Sequence, residues 1–91
     1  MGYNTVTVAS TATLIIAANT QRQQLILQNT SDSGTVWIGP DDSITSANAV
    51  ALYENQTKTN TKEIGYYLGD VYGITHAGKP NADVRYWEVI Q

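Results

Sequence analysis

The chain has no cysteine and no phenylalanine, and only one histidine, one methionine and two prolines among its 91 residues. Without cysteine, neither disulfides nor thiolate metal sites can hold it together, so stability must come from packing or from association with other chains. No stretch approaches the roughly 18 consecutive apolar residues that a membrane-spanning helix needs. The opening Met1-Gly2-Tyr3-Asn4 lacks the basic start and apolar core of a secretory signal. Val6 stands where a myristoylation signal requires Ser or Thr. Charge is sparse as well, with five basic and eight acidic residues, a net charge of −3 and 14 % charged residues in all. Phosphate backbones are bound by clustered Lys and Arg. Here Arg22, Lys58, Lys62, Lys79 and Arg85 are scattered along the chain, so neither nucleic acid nor a membrane is an expected partner.

What is present is a succession of short alternating runs. Residues 23–39, QQLILQNTSDSGTVWIG, read as two strands, 24–28 and 35–38, around a polar turn. Leu25 and Leu27 share one face of the first, opposite Gln24, Ile26 and Gln28, while Val36 and Ile38 lie opposite Trp37. The Asp-Ser-Gly end of the turn tolerates positive φ, so the segment is expected to form a hairpin at the centre of the fold. Further strands are expected at 3–9, 13–17, 49–54, 64–68, 71–76 and 83–90, with turns at 39–43 and 77–82. The run Leu14-Ile15-Ile16 suggests burial on both faces. A helix over 9–22 is rejected because its threonines and paired isoleucines lose rotamer freedom and no 3.6-residue stripe is present. Turn signals recur at the spacing of a sandwich or barrel. The expectation is one all-β domain over 1–91, a small antiparallel β-sandwich or jelly-roll-like barrel of seven to nine short strands. Residues 1–5 are a candidate N-terminal arm able to add to a neighbour's sheet.

Few residues offer chemistry. His76 is the only histidine and falls at an expected strand end beside a Gly-Pro loop, where a structural role is the ordinary one. Asp41, Asp42 and Ser43, with Asp70, supply hard oxygens of the kind calcium prefers, but Asp after Pro40 also caps a turn by itself. No glycine-rich phosphate loop opens a helix. The sequons at Asn29 and Asn55 read as chance in a chain rich in Asn and Thr. The residues therefore point to no enzyme, no catalytic group, no cofactor and no metal. The aromatics are the remaining candidates, because Tyr and Trp suit half-wet interfaces and sugar stacking. Tyr3, Trp37, Tyr67 and Trp87 are the interface candidates.

A spaced framework runs through Ala18-Asn19, Arg22, Leu25, Leu27, Asn29 and Ser31. It continues through Val36-x-Ile38-Gly39, Leu52, Gly69-x-Val71-Tyr72-x-Ile74 and Ala82-Asp83-Val84-Arg85-x-x-Glu88. In order and spacing it resembles small virion proteins of tailed bacteriophages: head decoration and head-fibre modules, and tail-associated accessory proteins of β-sandwich fold. The likeness covers residues 11–88. It departs after Leu52, where Tyr53-Glu54-Asn55-Gln56 and a polar extension to Glu63 replace the tight Pro-Gly turn such proteins carry. The resemblance implies a virion structural protein assembled in the host cytoplasm. The first reading is a capsid decoration (cement) protein that binds the outer surface of the head through the major capsid protein or other virion proteins. Homo-oligomerisation, as a trimer, would give a thin cysteine-free domain more buried area and match the threefold sites of capsids. The alternative is a carbohydrate- or receptor-binding or accessory module of a tail or fibre, with a glycan as ligand.

Overall fold

Apolar side chains recur at every second position in the strands, and this alternation builds two facing sheets. The computed structural model describes residues 2–30, 35–45, 48–53, 61–64, 67–75 and 81–90. Eight strands lie among them: β1 (Gly2–Val8), β2 (Thr13–Ile16), β3 (Arg22–Asn29), β4 (Val36–Gly39), β5 (Val50–Leu52), β6 (Thr61–Ile64), β7 (Val71–Thr75) and β8 (Ala82–Ile90). The first sheet has the order β1-β8-β3-β6 and the second β2-β7-β4-β5, with every pair antiparallel. Pairs 1·8, 2·7, 3·6 and 4·5 are the rungs of one long folded ribbon, rolled so that successive rungs fall in opposite sheets. That is a jelly-roll sandwich.

The topology corrects the expected central hairpin. β3 and β4 lie in different sheets and do not pair with each other. The inward faces are as expected, with Leu25, Leu27, Val36 and Ile38 all buried. Alternation reports which face is buried; it does not report which strand lies alongside. The expected hairpin around 77–82 fails in the same way, since β7 and β8 belong to opposite sheets. Its loop, 76–80, lies outside the described residues, as does most of the polar extension at 54–60. The strand expected at 64–68 is displaced: β6 ends at Ile64, and 67–68 are not in a strand. Gly2–Thr5, from the segment read as a candidate arm, run within β1 and pair with Glu88–Arg85 of the same chain.

The core is a single layer between the sheets: Val8, Ile15, Ile16, Leu25, Leu27, Val36, Ile38, Leu52, Val71, Ala82 and Val84. Ile15 and Ile16 are both inside, because the pairing of β2 with β7 shifts between Leu14 and Ile16 and turns two successive side chains inward. Leu14 is left outside, 43 % exposed, so only part of the Leu14-Ile15-Ile16 run is buried. Gly73 is buried on β7, where side chains of the neighbouring strands β2 and β4 close over it. A β-carbon placed there would stand 2.8 Å from Ile15 Cδ1 and 3.2 Å from Val36 Cγ1.

Two buried polar groups fasten the sheets, one at each end of β3. At its start, Arg22 donates from Nε to Glu88 Oε2 (2.7 Å) and from Nη2 to Ala17 O (2.8 Å). Its Nη1 reaches Tyr67 O (3.0 Å) and Gly69 O (3.1 Å). The arginine side chain is fully enclosed, and its planar fork meets carbonyls from the segments that follow β2 and precede β7. Asn19 N–H donating to Leu68 O (2.8 Å) and Ala18 N–H donating to Asp70 Oδ1 (2.7 Å) stitch the same two segments. At the other end, buried Asn29 donates from Nδ2 to Leu52 O (3.1 Å), tying β3 to β5 of the facing sheet.

Two substitutions test this account. Gly73→Val should overpack the core at a cost of about 1–3 kcal/mol, seen as a melting temperature lower by roughly 5 °C or more in circular dichroism. Arg22→Lys keeps the charge but loses the fork, and should cost about 3 kcal/mol because several buried acceptors lose their donor. A melting temperature within about 2 °C of the parent would refute the clamp.

Candidate functional site

The four interface candidates separate into three places. Tyr67 belongs to the Arg22 clamp: its carbonyl accepts from the guanidinium, its hydroxyl donates to Asp70 O (2.7 Å), and its ring covers Gly69. It therefore acts within the fold. Trp37 is half-buried on the outer face of the second sheet, in register with Ala51 and Ile74. Tyr3 and Trp87 meet in the first sheet as direct register partners on β1 and β8.

On the outer face of the first sheet, inward Val84, Tyr86 and Glu88 alternate with outward Asp83, Arg85 and Trp87 along β8. One rung runs Tyr3, Trp87, Ile26, Glu63, and the next runs Thr5, Arg85, Gln28, Thr61. Between these rungs lies an open trough of about 510 Å³, lined by Asn4, Thr5, Ile26, Gln28, Arg85, Tyr86 and Trp87. Trp87 is 49 % exposed there, a large apolar ring left half in water. Small-ligand sites commonly fall between about 300 and 1,000 Å³ and set a few polar groups in an apolar lining. Ile26 and Gln28 complete this one, and alternation within β3 had already placed them on the polar side of the strand.

The outer face of the second sheet is of another kind. Its rungs are Leu14 beside Tyr72, and Ile74, Trp37 and Ala51 in a row. None of these side chains is charged, and Tyr53, just beyond β5, is exposed. The indole Nε1 of Trp37 is enclosed with no hydrogen-bond partner among the described residues.

The oxygen-rich turn has its own occupation. Asp41 Oδ1 accepts from the Ser43 amide (2.9 Å) and from the Ser43 hydroxyl (2.5 Å). These bonds hold the Asp41 carboxyl below the ordinary aspartate range. Asp70 is engaged elsewhere, on Ala18. Among the described residues no three His, Asp or Glu side chains stand close enough together to hold a metal ion. His76 and Asn55 lie outside the described residues. Asn29 is buried and held by Leu52, so its sequon is closed to modification. Comparison with protein families, with curated proteins and with solved structures finds no match to this chain.

The Asp41 turn gives a pH prediction. A carboxyl whose folded pKa is depressed stabilises the turn above the unfolded pKa, and that contribution is lost as pH falls through the folded value. An NMR titration should place the Asp41 midpoint below the ordinary value of about 3.9, with the Ser43 amide resonance moving at the same pH. A Ser43 amide unmoved across that transition would refute the turn bond.

Proposed function

We propose that this chain is a non-enzymatic virion structural protein of a tailed bacteriophage, a decoration protein that binds the outside of the assembled head. The observation that carries the reading is the outer face of the second sheet. Leu14, Trp37, Ala51, Tyr72 and Ile74 form an uncharged surface on this face. Contiguous apolar surface of this kind marks protein–protein contact, and aromatics anchor such contacts when they become desolvated. The resemblance of the residue framework to phage head and tail modules supports the choice of partner, the major capsid protein.

The action needs no chemistry. A protein that binds only the assembled lattice stabilises that lattice by mass action, and many weak copies act together. Self-association as a trimer on the lattice adds buried area that a thin sandwich lacks alone.

Co-sedimentation with heads lacking the protein is the direct test, with separated tails and host cells as parallel samples. Saturable binding to heads at a lattice-determined copy number is expected. Pelleting with tails or cells alone would replace decoration by a tail or receptor role. Leu14→Lys and Trp37→Ala should each lower head occupancy by about tenfold or more while keeping the β-sheet circular dichroism, as removal of an interface anchor does. Unchanged occupancy in both would refute the second sheet as the docking face.

A further inference from the structure

The outer face of the first sheet is unlike that of the second, and it is built at a different scale. Its apolar centre is Trp87 beside Ile26 on adjacent strands, with Tyr3 in register with Trp87 on β1. Polar side chains surround it: Thr5 from β1, Gln28 from β3 and Arg85 from β8. A stable protein–protein contact needs about 800 Å² per partner with an apolar centre, and a centre ringed so closely by Thr5, Gln28 and Arg85 does not provide one. It does match one face of a sugar ring. Axial C–H groups of a pyranose lie flat on an indole, and its hydroxyls require donors and acceptors at the rim. Gln28 offers both, and Thr5 offers a hydroxyl.

Charge narrows the class of sugar. Arg85 and Trp87 lie two residues apart on one face of β8, a spacing of about 6.8 Å along the strand. A ring stacked on Trp87 would therefore hold a carboxylate substituent within reach of the guanidinium. Arg85 is exposed and has no ion-pair partner among the described residues. The other charged residues of this face stand further off. Asp83 lies two positions beyond Arg85, away from Trp87, and accepts from Thr7 Oγ1 (3.3 Å). Glu63 occupies the Ile26 rung on the edge strand β6, two strands from Trp87. The charge nearest the ring is thus the cation, and a guanidinium binds a carboxylate through two parallel hydrogen bonds.

We propose that the trough on the first sheet is a glycan-binding site for a carboxylate-bearing pyranose, a uronic or sialic acid, with Trp87 as the stacking platform and Arg85 as the carboxylate ligand. This site is independent of the head-binding face, since the two lie on opposite sides of the sandwich.

The test is an NMR titration of the whole chain with trigalacturonic acid and with sialyllactose. The methyl ester of the first and lactose serve as the matched neutral controls. Saturable shifts of the Trp87 indole N–H, without those of Trp37, are expected with at least one acid, at an affinity about tenfold above its control. The acid that binds identifies the source. Trp87→Ala should abolish binding, and Arg85→Gln should erase the preference for the acid while leaving weak binding. Both variants should keep the parent circular dichroism and melting temperature. No saturable binding of either acid, equal binding of acid and control, or shifts that bypass the Trp87 indole would overturn the proposal.

Discussion

The enclosed guanidinium of Arg22 is the constraint on which the sandwich depends, because it joins parts of the chain that no backbone ladder joins. Its donors end on Glu88 of the first sheet and on Ala17, Tyr67 and Gly69 of the segments that flank strands of the second. Removing one ion-pair partner from such a site leaves the other charge buried without compensation. Asn29 repeats the device at the far end of the same strand, with one amide donor in place of a guanidinium. β3 is thus pinned to the opposite sheet at both ends, with the apolar layer lying between the two ties.

How much of this was legible depended on what each residue's neighbours in sequence could report. Leu25, Leu27, Val36, Ile38 and Val84 announce an inward face through period-two alternation, and they are inside. The partner of each strand was not legible, because a hairpin and an arch between sheets present the same alternating arms. Arg22 looked like one of five scattered bases; its partner Glu88 is 66 positions away, beyond any local pattern. The framework that resembles phage modules holds the core and clamp residues Arg22, Leu25, Leu27, Asn29, Val36, Ile38, Leu52, Val71, Val84 and Glu88, together with Tyr72, Ile74 and Arg85 of the outer faces. Trp37 and Trp87 fall in its variable positions. A framework of this kind carries the fold, and the surfaces that would bind a partner have to be read from the structure.

Those surfaces differ because the two sheets have different outer rungs. The second sheet turns a row of uncharged, largely apolar side chains outward, suited to a flat protein contact. The first sheet turns out threonines, glutamines, Arg85 and Asp83 around Trp87. In a sandwich the two outer faces point in opposite directions. A molecule docked on a particle through the second sheet would present the first to the medium.

The rolled ribbon also bears on how the molecule reaches this state. β4·β5, between Val36–Gly39 and Val50–Leu52, is the most local of its four ribbon rungs, and each further rung joins strands more distant in sequence until Gly2 meets Glu88. Closing a long loop before any contact rewards it slows the search, and sandwiches dominated by such pairings fold in roughly milliseconds to seconds. The order of assembly is then set by topology: the bend of the ribbon forms early, and β1 joins β8 last. Until it does, the long strand β8 has one side unpaired. An unpaired strand edge is a template for other strands, and the β1·β8 ladder is what covers this one.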